Sequence, residues 1–288
     1  MKTILICPNQ ANGIPVLADS KPAVTLPFLG ERFICYWLHY LATERYKEVR
    51  IITTDPAHSI EEWTGTGSRW GLKIEIFHEV RELTPAEARK RYRPSYEADW
   101  PSEPNDVIVA DHFPGVPGHK IFESYANWFK GMSLWLPQMS ASRRVGLREI
   151  EPGVWVGRRT KIARKAKLLA PCWVGENVRI GNDAVIGPMA FLEDQVVVED
   201  RSMIVNSWVG PATLVGTLTE LKDSLAWGTL LVNWKNGSHT HVADPFLLAS
   251  LADSNGTSSG KSAFAKAVQK PLARPFEAVA ALAQKLQG

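Results

Sequence analysis

Cysteine is scarce in this chain. Cys7, Cys35 and Cys172 are the only three, widely spaced and without a paired-ligand pattern, which excludes a disulfide framework and a zinc ribbon and leaves buried thiols in a reducing compartment. Charge of one sign is lacking as well. The 33 Lys and Arg face 30 Asp and Glu, a formal net charge of +3, too small a basic excess to drive non-specific binding to nucleic acid. Long apolar runs are also missing: Ile4 to Cys7 gives way at once to Pro8, too short for a signal-peptide core, and no stretch elsewhere reaches membrane-spanning length. A cytoplasmic protein is therefore expected. Histidine is absent from Ile150 to Gly237. With 288 residues and 45% hydrophobic content, the chain is long enough for two modest domains.

What the sequence does contain is a six-residue rhythm. Ile150, Val156, Ile162, Leu168, Val174, Ile180, Ile186, Leu192, Val198 and Ile204 stand in register without exception. If about one position in four held such a residue by chance, the run would arise about once in a million trials. Positions one later include Gly157, Ala163, Gly175, Gly181 and Gly187, and positions four later are small, as at Thr160, Ala166, Cys172 and Ala184. Flat strands that turn sharply and stack inside a narrow prism need this pattern. A helix would place apolar residues three and four apart, and a period of six drifts around it. The pattern resembles the hexapeptide-repeat proteins, which implies a left-handed parallel β-helix over residues 146–251 with three hexapeptides per turn. After Ile204 the register slips by one and resumes at Val209, Val215 and Leu221, which reads as a deletion at a corner; Asp244 to Leu251 is expected to cap the last coil.

Strand alternation turns the residue before each inward aliphatic outward. On one face these are Trp155, Trp173 and Phe191, an aromatic ladder too large to stay exposed. It is expected to be covered by another part of this chain or by a second subunit.

The first 145 residues alternate differently. Thr3 to Cys7, Glu48 to Thr53, Leu72 to Phe77 and Asp106 to Ala110 read as strands, with helices over Arg32 to Arg45 and from Thr84 to Arg93. Alternation of this kind predicts a parallel sheet with ligands at the carboxyl ends of its strands. The stretch DSKPAVTLPFLG over Asp19 to Gly30, Trp70 and Gly71 before a strand with Glu79 just after it, and Val107 to Asp111 at a strand end resemble the sugar-phosphate nucleotidyltransferases. The resemblance implies a Rossmann-like nucleotidyltransferase core, fused to a β-helix, that joins a sugar 1-phosphate to a nucleoside triphosphate in sugar-nucleotide supply. A short match at Asp244 to Leu248 adds relatives from exopolysaccharide assembly as the setting. By the same resemblance Lys21 is the catalytic and phosphate-contacting lysine, Asn12 and Gly13 complete the nucleotide-binding nest, and Asp111 holds Mg2+. A homo-oligomer, a trimer above all, is expected of such prisms.

Two departures bear on catalysis. Where the family has a Gly-rich loop ending in an arginine, this chain has PNQANGIP over Pro8 to Pro15, with one glycine and no arginine. Losing the arginine and one loop donor removes about 3 to 6 kcal/mol of charge-assisted hydrogen bonding. Between Phe113 and Arg148 there is also too little chain for the family's second half, so the domain reads as truncated. A non-catalytic protein that binds a nucleotide sugar or serves as a scaffold is therefore the second reading. Acyl transfer is the third; it needs a histidine base, and only His239 and His241 beyond the regular repeats are available.

Residues 252–288 read as a Gly- and Ser-rich linker and an amphipathic tail. From Lys261 onward five basic residues face the single acid Glu277, a stretch expected to dock on the β-helix, a partner or an anionic membrane. Gly256 to Ser262, GTSSGKS, is one residue short of a phosphate-binding loop and follows no strand, so that assignment is rejected.

Overall fold

The structure is a computed structural model that describes residues 1–8, 13–18, 21–92, 106–138 and 146–252. The chain divides into two compact units, one of Met1–Val145 together with Asn233–Ser238, the other of Gly146–Val232 together with the chain from His239 onward.

The first unit is a parallel α/β sheet. Its strands are β1 (Lys2–Ile6), β2 (Glu48–Thr53), β3 (Lys73–His78) and β4 (Asp106–Val109), paired in the order β3-β2-β1-β4. All three pairings are parallel, Ile4 lying between Arg50 and Val107. Helix α1 (Phe33–Thr43) is buried all round over its first six residues, Phe33 to Leu38, and again at Leu41, with solvent reaching it only near its end. Helix α2 (Ala57–Thr64) follows β2. Helix α3 (Pro85–Arg91) starts on a capping box, in which the Glu87 amide donates to Thr84 Oγ1 at 3.3 Å and the Thr84 amide donates to Glu87 Oε2 at 2.9 Å. The span between Phe113 and Arg148 holds helix α4 (Tyr125–Trp135), capped by Ser124.

The second unit consists of many short parallel strands stacked in sheets, an arrangement compatible with a β-helix. Successive strands visit three sheets in rotation: Val154–Val156, Lys161–Ile162, Lys167–Leu168, then Cys172–Val174 beside the first. Ile180 pairs in register with Ile162 on one side and Val198 on the other, so the six-residue rhythm becomes columns of like residues. One core cluster, with Val174, Ile180, Ile186, Leu192, Val198 and Ile204 among its members, is shared by all three sheets. Past Met203–Val205 the partners stand seventeen apart, Phe191 with Trp208 and Val198 with Val215, as the slipped register requires. The deletion sits at the corner after that strand: left-handed backbone recurs at Asn177, Asp183, Met189, Gln195 and Arg201, and then one residue early at Asn206. Leu248–Ser250 closes the five-stranded sheet by pairing antiparallel with Thr213–Val215.

The glycines do a different job from the one expected. Gly157, Gly175 and Gly181 are not the left-handed corner residues; Arg159, Asn177 and Asp183, two places later, are. What excludes a side chain at the glycines is the next circuit. A Cβ at Gly175 would lie 2.5 Å from Asp194 Oδ1, and one at Gly181 would lie 2.5 Å from Asp200 Oδ1. Those carboxylates need the space, because they accept from the Glu176 and Asn182 amides at 2.7 Å and so satisfy the corner of the preceding circuit.

Of the aromatic ladder, Trp173, Phe191 and the added rung Trp208 are each exposed by 2% or less, although none belongs to the inner cluster. Trp208 donates its indole N–H to the buried Glu193 at 3.0 Å and meets Trp227 edge-on. Among the described residues no helix is long and apolar enough to cross a membrane. The linker and tail from residue 253 lie outside the described residues.

Candidate functional site at the sheet reversal

In the parallel sheet the connection from β3 to β4 passes over β2 and β1, so the strand order reverses between β1 and β4. Loops leaving the carboxyl ends of those two strands diverge to opposite sides of such a sheet and open a crevice, the usual ligand position in this architecture. The ladder runs one residue beyond each strand, with the Cys7 amide donating to Ile52 O and the Ala110 amide to Ile6 O, each at 2.8 Å. Asp111 comes next.

Asp111 is half-buried and engaged on both oxygens. Its Oδ1 lies 2.7 Å from His112 Nδ1, and its Oδ2 lies 4.0 Å from Lys120 Nζ, which in turn reaches Glu123 Oε1 at 3.5 Å. The Ile121 amide donates to the Asp111 carbonyl at 2.8 Å, bringing the far side of the loop back to its start. His112 is held from beneath by Trp37, whose indole N–H donates to the His112 carbonyl at 2.9 Å and whose ring meets the imidazole edge-on. Phe113 is the anchor. It sits among Phe28, Phe33, Tyr36 and Trp135, which tie this loop to α1 and α4.

The loop after β1 docks on the same segment. Gly13 lies so close to it that a Cβ would fall 1.8 Å from the Phe122 carbonyl oxygen, and the Val16 amide donates to the Tyr125 hydroxyl at 3.2 Å. The structure therefore brings Gly13 and Asp111 to one loop pair, through Phe122 and Lys120. Lys21 stands exposed on the turn that follows Pro15–Ala18, its amide donating to the Ala18 carbonyl at 2.8 Å. Asn12 lies outside the described residues.

His112 and Lys120 escaped the sequence reading. A dipeptide of Asp and His at a strand end was the available signal for the first. Lys120 had none, because only the fold-back of residues 113–120 places it beside Asp111.

The chemistry of this donor set can be bounded. Among the described residues no three His, Cys, Asp or Glu side chains are grouped as a metal site. A magnesium ion bound mainly through substrate phosphates needs one or two carboxylates, and Asp111 would be the one to hold it, in place of its contact with Lys120. The thiols offer no nucleophile. Burial pushes the Cys7 thiol far up, with Asp55 adding to it, and holds Cys35 at about 11 and Cys172 at about 12. Glu79, just past β3, is buried and paired with Arg91 at 3.0 Å and the Tyr92 hydroxyl at 2.5 Å, a structural role. His239 and His241 are exposed on a strand that pairs antiparallel with Leu230–Asn233, His241 Nδ1 lying 3.3 Å from Thr229 Oγ1.

No protein-family model matches this chain, and no curated protein matches it.

Proposed function

We propose that the chain is a sugar-1-phosphate nucleotidyltransferase-like protein of sugar-nucleotide and exopolysaccharide biosynthesis, acting in the cytoplasm, that holds a nucleoside triphosphate or nucleotide sugar over the carboxyl ends of β1 and β4. The reading includes a left-handed hexapeptide β-helix as the second part of the molecule and a trimeric assembly. The observation that carries it is the docking of the loops after β1 and β4 on each other at the reversal point of a parallel sheet, with Asp111 and Lys120 in one of them. In this proposal Lys120 and Lys21 meet phosphate oxygens as point charges, and Gly13 with Asn12 lets the backbone approach them. Asp111 would hold Mg2+, which when bound supplies charge neutralisation on the phosphates.

Binding without turnover is the second reading, and one observation favours it: the Asp111 carboxylate is already engaged by His112 and Lys120, next to a loop without the family's arginine. Calorimetric titration with the four nucleoside triphosphates and several nucleotide sugars in magnesium, with pyrophosphate release followed on the same sample, tests both. Binding with release supports the enzyme, binding alone supports the second reading, and no binding by any of these compounds removes the proposal.

A further inference from the structure

A net charge of +3 conceals a local concentration. The ten residues from Arg158 to Lys167 carry six basic side chains and no acid, and all six basic residues are exposed. Arg158 and Arg159 are offset by Glu176, at 3.1 Å and 3.9 Å. Among the described residues no ion pair involves Lys161, Arg164, Lys165 or Lys167.

These four lie where the strand stack begins. Lys161–Ile162 is the edge of the five-stranded sheet and Lys167–Leu168 an edge of the four-stranded one. Arg164 and Lys165 form the corner between them. Of the acids near this end, Glu149, Glu151 and Glu176 belong to the remaining sheet and its corner, and Asp183, one circuit further in, is exposed at the corner eighteen residues on from Lys165, without an ion pair to any of the four. The inner columns open here: Ile180 and Ile186 are fully buried, but their partners Ile162 and Leu168 are only half-buried, and Leu169 is 43% exposed. The end of the stack thus presents an apolar centre with a basic fringe on two of its three sides.

We infer that this end is a docking site for an anionic lipid surface, the cations meeting headgroup phosphates and carboxylates while Leu169 and its neighbours enter the interfacial layer. Three other occupants fit less well. A nucleic acid strand needs stacking platforms, and none of the ten residues is aromatic. An added β-strand needs a longer edge than two residues. A second copy placed across a two-fold axis would set like charges against like.

The test is co-sedimentation of the full chain with vesicles of phosphatidylcholine alone and with about 30% phosphatidylserine, across a salt series. Each basic residue near such a surface raises partitioning about fivefold. The wild type is expected to bind only the anionic vesicles and to lose binding as salt rises. Reversal of the four charges (K161E, R164E, K165E, K167E) should lower the partition coefficient at least about tenfold, and the milder glutamine set should do the same with an unchanged unfolding midpoint. The basic tail beyond residue 261 is retained in both variants. Binding that survives the glutamine set therefore overturns the inference, as does equal binding to neutral vesicles or tighter retention on a 20-nucleotide RNA than on anionic vesicles.

Discussion

Lys120 is the side chain on which the proposed phosphate contact turns. It lies 4.0 Å from Asp111 and 3.5 Å from Glu123 and is itself well exposed, so its ion pairs contribute little to folding. Lys120→Ala should leave the thermal midpoint unchanged and weaken nucleotide binding by about 10- to 100-fold, the value of one charge-assisted hydrogen bond; calorimetry reads the second and differential scanning the first. Gly175 makes the opposite case. Nothing about it concerns ligand, yet an added methyl would meet Asp194 Oδ1 at 2.5 Å and the Asp194 amide nitrogen at 2.9 Å. Gly175→Ala should cost about 1 to 3 kcal/mol in urea unfolding, because both the carboxylate and the backbone of the next circuit must shift.

At the scale of single elements, the columns of the strand stack differ from their ends. Ile180 is fully buried between Ile162 and Val198, so Ile180→Ala should cost about 2 to 5 kcal/mol. Ile162→Ala, at the open end, should cost less than half of that in the same urea titration, since less area is returned to water. Helix α3 offers a pH-dependent element. The Arg81 guanidinium, followed by the Thr84 amide and hydroxyl, holds the Glu87 carboxyl down at about 2 against an ordinary value of 4.5. A folded value below the unfolded one means that the cap contributes fully above pH 4.5 and is lost as pH falls toward 2. The titration midpoint of the Glu87 carboxyl resonance checks this, and Arg81→Ala should return it toward the ordinary carboxylate range.

These elements were largely legible in advance. Strands at Lys2–Ile6, Glu48–Thr53, Lys73–His78 and Asp106–Val109 match apolar runs bounded by turn residues, and the Thr-Pro start of α3 marks its cap. The corner glycines were legible as a pattern but not as a cause. From sequence they read as turn formers, and only the stacked neighbour shows that they make room for Asp194 and Asp200.

Across the whole molecule, the buried ladder decides what a substitution on it can mean. Trp173 is 2% exposed within a single chain, so Trp173→Glu places an unpaired charge in a closed interior. It should destabilise the fold by at least about 3 kcal/mol, lowering the thermal midpoint, while the material that folds keeps the wild-type mass in light scattering. A loss of mass with an unchanged midpoint would mean that the ladder is a subunit interface.

The sequence by itself determined what depends on fixed spacing. Up to the slip after Ile204 each hexapeptide meets its neighbour eighteen residues away, Trp155 beside Trp173 and Ile162 beside Ile180, and beyond it seventeen, Val198 beside Val215, so the period and its one slip write the pairings of the parallel strands. Tertiary structure alone decided the site. The Val16 amide meets the Tyr125 hydroxyl across 109 residues, and Gly13 meets Phe122 only because the sheet sets β1 beside β4. No period encodes such a meeting; it follows from the order in which four strands pack, which is a property of the assembled sheet and its aromatic anchors.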